Sequence, residues 1–96
     1  MRPSEALTAH RGELRQLISR YGLLRPRIVG SVLNGTDTEE SDLDLLVDAA
    51  EKTTLFTLVG LEHDAQQLLG VPVSVLTPQD LPVKFRADVL QAAAPL

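Results

Sequence analysis

The sequence predicts an α+β fold: a two-layer α/β arrangement in which a small mixed sheet of about three strands packs with helices. Three observations carry that expectation. Apolar residues recur at helical spacing over 4–21 and 54–69. Short β-branched or alternating runs, "RIV", "LDLLV" and "VPVSVL", fall between and after those segments. A chain of 96 residues buries somewhat over ~60% of its unfolded surface, enough for one modest core. We expect a single domain over 1–96.

The first element is a helix. Leu7, Leu14, Leu17, Ile18 and Tyr21 share one face, with Ser4 the expected N-cap and Gly22 the stop. "PRIVG" is a short strand. "VLNGTDTEES" is polar and turn-rich, and its Asn34-Gly35 is also the pattern of a simple hairpin turn. "LDLLV", 43–47, is the second strand. Leu55, Leu58, Val59, Leu61, Leu68 and Leu69 set a helix that Gly70 closes. "VPVSVLT" is a third strand, with Pro72 marking an edge or a strand beginning. Pro78 ends it, and a last helix starts near Pro82. A sheet this small is expected to be covered on one face only.

Composition narrows the function classes. There is no cysteine, so disulfides and thiolate metal sites are excluded, which fits a reducing compartment. No apolar run approaches ~18 residues, so no membrane span is expected. The N-terminal stretch lacks an apolar signal core, and a cytoplasmic location is expected. A net charge of −4 argues against bulk nucleic-acid binding. The charge is uneven: six Arg against two Glu in residues 1–27, then seven acids and no base in 28–51.

That acidic stretch holds the chemistry. In a strand, side chains alternate, so Leu43, Leu45 and Val47 share the core face while Asp42 and Asp44 project together on the other. Their carboxylates stand roughly 6–7 Å apart along the strand. Unpaired, they repel. A divalent cation relieves that, and hard oxygen donors suit Mg²⁺ with substrate phosphates. Acids on an outer strand face are also ordinary surface chemistry. Gly30-Ser31 sharpens the alternative. Placed after a strand and before a turn, the glycine lets the backbone approach a phosphate, whose oxygens take hydrogen bonds from N–H groups and the Ser31 hydroxyl. His10 and His63 lack metal-ligand spacing and read as surface residues. Lys84, Arg86 and the N-terminal arginines read as solvated helix charges, the arginines also as a possible partner or RNA contact.

Gly-Ser, ten residues, then Asp-x-Asp resembles the signature of the polymerase-β-like nucleotidyltransferases. The "SDLDLLV" ending is similar to the minimal nucleotidyltransferases of prokaryotes, small proteins often paired with a HEPN-domain toxin. The resemblance runs along the whole chain and implies a palm-like fold. It implies that Gly30 and Ser31 hold the β/γ-phosphates of an NTP, with ATP the expected one, and that Gly35 closes the loop. It implies that Asp42 and Asp44 are catalytic and bind Mg²⁺ or Mn²⁺.

Two positions depart from the family pattern. Asn34 stands where the family often has Arg. Ser74, in "VSVLT", stands where the family usually places a third carboxylate. A serine supplies no negative charge and no general base near neutral pH; Asp80, six residues on and beyond Pro78, is the acid within reach of that position along the chain.

The resemblance therefore implies a Mg-dependent transfer of a nucleoside monophosphate from an NTP to a protein or RNA hydroxyl, as antitoxin of a HEPN-type toxin. The alternative is a catalytically weakened antitoxin that acts by contact. A partner or a homo-oligomer is expected to complete the site, since so small a chain has no second domain to clamp a substrate.

Overall fold

The computed structural model describes residues 1–96. In chain order the elements are α1 (Pro3–Arg20), β1 (Leu24–Val29), α2 (Ser31–Asn34), β2 (Leu43–Asp48), α3 (Leu55–Leu69), β3 (Val73–Leu76), a 3-10 turn (Pro78–Asp80), α4 (Val83–Ala92) and β4 (Ala94–Pro95). The sheet order is β3-β2-β1-β4. β1 runs antiparallel to β2 and to β4, and β2 runs parallel to β3. The sheet is thus mixed, as expected, with β3 at an edge.

Alternation on β2 sets the core. Leu43, Leu45 and Val47 are fully buried and join Leu14, Ile18, Leu61 and Ala65 of α1 and α3 in one apolar cluster. The helix stops follow local chemistry. Thr54 caps α3 by accepting the Thr57 N–H, and Gly70 ends it in the left-handed region at φ +71°. The open side of β3 is blunted by α3. Oε1 of Gln66 accepts the Val73 N–H at 3.2 Å, and Oε2 of Glu62 accepts the Val75 N–H at 2.9 Å. One helical turn matches two strand residues in length, so i and i+4 on the helix meet alternate residues of the strand. An edge so occupied offers no template for another strand.

Five features differ from the sequence reading. The sheet has a fourth strand, Ala94–Pro95; two residues without β-branching leave no periodic signal. The second sheet face is covered too: Leu46, Val29 and Leu81 form a separate buried cluster, with Leu76, Val89, Leu90 and Ala93 packed against it. Leu46 alternates away from the main core, so α4 is required as its cover. The α1 N-cap is Arg2, not Ser4. Pro3 takes the first helical position, which needs no N–H donor, and the Glu5 carboxylate accepts the Arg2 N–H at 3.0 Å. Arg86 is not a solvated charge. Its Nη2 donates to the carbonyls of Gln79 (3.3 Å) and Leu81 (3.0 Å), tying α4 to the turn before it. Two of the N-terminal arginines, Arg11 and Arg15, donate to the Leu96 carbonyl. No helix is long and apolar enough to cross a membrane.

The second face can be checked by truncation. Leu46→Ala is expected to cost about 2–5 kcal/mol in denaturant unfolding, the range for a fully buried leucine. A loss comparable to that of an exposed site would mean that α4 does not seal this face.

Candidate functional site

Two segments far apart in sequence meet at one end of the sheet. The antiparallel register sets Val29 opposite Asp44, so the chain turns away at Gly30 beside the Asp44 side chain. Gly30 has φ +77° and ψ −149°, a region only glycine occupies without strain. A Cβ at this position would run into Oδ2 of Asp44 and lie 3.3 Å from its Cγ. The bare α-carbon is therefore the condition for the carboxylate to sit where it does.

Ser31 is half-buried and opens α2. The first N–H groups of any helix lack helical acceptors. Gly35, at φ +73°, ends the turn in the left-handed region, and the Thr36 N–H closes onto the Ser31 carbonyl at 3.0 Å. Asn34-Gly35 is thus a helix terminus. The hairpin-turn alternative fails because the connection from β1 to β2 spans 30–42 and carries its own helix.

Asp42 lies just before β2 and is exposed; Asp44 is in the strand and half-buried. Burial pushes the Asp44 carboxyl above the ordinary aspartate range, and the Asp42 charge adds to the rise. No ion pair within the chain reaches either carboxylate.

The neighbouring acids are spent differently. Asp48, on the same strand face, is pushed up by burial, yet hydrogen bonds and charge from Arg27 and Arg25 bring it below the ordinary range. Asp37 is buried, and its Oδ2 accepts the Ser4 N–H at 2.9 Å. That bond and the charge of Arg2 hold its carboxyl low, and it pins the loop before Asp42 to the start of α1. Sequence reasoning missed Asp37, since a loop aspartate carries no periodic signal. Asp80 does not reach the site: its Oδ2 accepts from the N–H and hydroxyl of Thr77 at 2.9 and 3.0 Å, capping its own turn.

The parallel register pairs Asp44 with Ser74, so Ser74 stands beside the aspartate on the same face, between buried Val73 and Val75. No group of three or more His, Cys, Asp or Glu side chains is placed to hold a metal ion. His63 is exposed and His10 pairs with Glu13 at 2.9 Å. Gly30, Ser31, Asp42 and Asp44 thus gather at one end of the sheet, with Gly35 closing the turn. Ser74 completes the row as a neutral oxygen.

The chain is similar to known proteins in sequence and in fold. The chain matches a family described as nucleotidyltransferase domain over residues 8–96. It is 35% identical over 85 residues to the protein adenylyltransferase MntA of Thermococcus cleftensis, spanning 88% of this chain and 83% of that one. It is 31% identical over 77 residues to a Methanocaldococcus jannaschii protein named as a protein adenylyltransferase, spanning 80% and 83%. A solved structure described as a minimal nucleotidyltransferase superposes with a TM-score of 0.86 at 40% identity, over 97% of this chain and 95% of that one. A toxin–antitoxin complex solved with AMP-PNP superposes at 0.74 with 19% identity, over 88% and 69%; that likeness is one of fold.

The raised Asp44 has a consequence for stability. A carboxylate whose folded-state pKa exceeds its unfolded value contributes stability that is fully present below the unfolded value and is lost as pH rises through the folded one. Asp44→Asn is therefore expected to raise the melting temperature at neutral pH in metal-free buffer, with the gain disappearing in acid. A variant no more stable than the parent at neutral pH would contradict the unpaired, burial-strained carboxylate.

Proposed function

The chain belongs to the nucleotidyltransferase domain family, and on that footing we propose that it transfers a nucleoside monophosphate from an NTP, with ATP the expected donor, to a hydroxyl of a protein or an RNA. The observation that supports this reading is the unpaired Asp44 carboxylate lying in the space that a side chain at Gly30 would fill, beside the start of α2. The relatives named as protein adenylyltransferases favour a protein acceptor. The fold shared with a toxin–antitoxin complex favours an antitoxin role beside a HEPN-type toxin.

The donor set fits a divalent cation. Asp42 and Asp44 offer hard oxygens without partners in the chain, and Mg²⁺ takes one or two carboxylates plus substrate phosphates. When bound, Mg²⁺ or Mn²⁺ supplies charge neutralisation at the leaving pyrophosphate and a lowered pKa at the attacking hydroxyl. In this reading Asp42 and Asp44 orient that ion. Gly30 leaves room for the Asp44 carboxylate against the backbone, and the Ser31 hydroxyl and the first N–H groups of α2 hydrogen-bond the phosphate oxygens. Gly35 keeps α2 short and its first turn fixed. The acceptor oxygen bonds to the α-phosphorus as the bond to the bridging oxygen breaks; pyrophosphate leaves and the hydroxyl proton passes to solvent.

A second reading has its own observation. Ser74 takes the register position beside Asp44 and Asp80 is engaged elsewhere. The chain then binds Mg²⁺–NTP but transfers slowly, and acts on its toxin by contact.

One measurement tests the cation site that both readings share, and a second separates them. Mg²⁺–ATP is expected to raise the melting temperature of the parent, as any ligand of the native state does, and Asp42→Asn with Asp44→Asn to abolish that rise; a shift that survives would refute the metal assignment. Ser74→Asp, once shown to be folded, is expected to increase mass-shifted product on a HEPN-type acceptor if the missing acid limits transfer. Fast transfer by the parent would instead assign the role to another group, and no transfer by either protein, with partner binding intact, would favour the contact-only antitoxin.

A further inference from the structure

The cavity at Gly30 differs in chemistry from the other concavities of the surface. It measures about 360 Å³ and lies between α2 and α4, with Val29, Gly30, Leu33, Asn34, Phe85 and Asp88 among its walls. The α4 contribution is one helical stripe, since Phe85, Asp88 and Val89 fall at i, i+3 and i+4. Val89 is shared with the adjoining face of α4, which covers the sheet together with Leu90 and Ala93.

Three facts restrict the occupant. Its walls include the Asp88 carboxylate and no lysine or arginine, and Lys84 sets its Nζ 5.6 Å from the Phe85 centroid over one face of the ring, leaving the other face for a ligand. The walls are mostly apolar, and one of the chain's three aromatic rings, Phe85, is left 51% exposed on them. The polar groups are few: Asp88 and Asn34 are both exposed, and Asp88 pairs with no cation of the chain. An apolar slot with a few convergent polar groups suits a flat, uncharged ring system carrying hydrogen-bonding edges. Gly30 links the two regions, because it borders this cavity and the Asp44 carboxylate fills the space where its side chain would be.

We infer that this cavity is the nucleobase subsite, in which the base of the NTP stacks on Phe85 and the Asp88 carboxylate accepts an N–H from an exocyclic amine. The inference rests on the phosphate-and-metal reading above and assigns the other end of the same ligand. A carboxylate is acceptor-only, so it selects bases that present a donor there. Asn34, with both a donor and an acceptor, complements a ring edge on the α2 side. The position where the family often carries a phosphate-binding arginine then serves the base.

Titration calorimetry on the full chain with Mg²⁺ tests this with three probes: ATP, the purine riboside triphosphate that lacks the 6-amino group, and inorganic tripolyphosphate. ATP is expected to bind tightest. Phe85→Ala is expected to weaken ATP by roughly fivefold to 100-fold, the span for loss of one base–aromatic stack, and to leave tripolyphosphate unchanged. Asp88→Ala is expected to erase the preference for ATP over the deamino analogue. Both side chains are exposed, so folding is expected to survive, and unchanged tripolyphosphate binding verifies it. ATP affinity that is the same in both variants and the parent would overturn the base subsite alone. Failure of the parent to bind either ATP or tripolyphosphate would overturn the phosphate-and-metal reading and the subsite with it.

Discussion

The chemistry of this molecule depends on one steric condition: a carboxylate can lie against the end of β1 only because residue 30 has no side chain. Asp44 stands beside Gly30 through the Val29–Asp44 register. That register is fixed in turn by Leu43, Leu45 and Val47, which are fully buried on the opposite face. A slip of one residue would turn those three outward and the aspartate inward. The same strand pairs in parallel with β3 and brings Ser74 alongside. Core packing and site geometry are therefore two faces of one strand, and neither can move without the other.

Electrostatics distinguishes structural acids from the candidate catalytic ones. Asp48 shares a strand face with Asp44, yet two guanidiniums meet it and it stays ionised. Asp37 is more buried than either, yet it has the Ser4 N–H at a helix start, where negative charge is favoured. Asp44 is given only another negative charge, Asp42. A fold that supplies partners to two aspartates and withholds them from the adjacent pair leaves that pair's charge for something outside the chain to balance. The structural cost is kept small by exposing Asp42 and half-exposing Asp44 to water.

Much of this was legible in the sequence because it is periodic or conformational. The Leu43–Val47 alternation set the strand and its buried face. Gly30, Gly35 and Gly70 all have positive φ in the structure, and each had been placed at a turn or a stop. The features that escaped lack such signals. Leu46 broke the simple two-face reading by being buried on the Asp44 side, which required a helix on both sides of the sheet. Ala94–Pro95 pairs as a strand only because Arg27 and Ile28 present an open edge to it. Asp37 acts through a backbone group distant in sequence and Arg86 through carbonyls of the preceding turn, neither of which a periodic pattern encodes. The last helix was legible from Pro82 near its start, but not which of its faces would meet the core.

The central claim is that the Gly30–Ser31 turn and the Asp42–Asp44 pair form one cation–triphosphate site. Paramagnetic broadening of backbone amides by Mn²⁺ with a non-hydrolysable ATP analogue tests it residue by residue. The account predicts that the amides of Gly30 to Leu33, Asp42 to Leu45 and Ser74 lose intensity first, and that the analogue strengthens the effect. Broadening centred on Asp48, on the Pro78–Asp80 turn, or spread evenly over the acidic surface would contradict it.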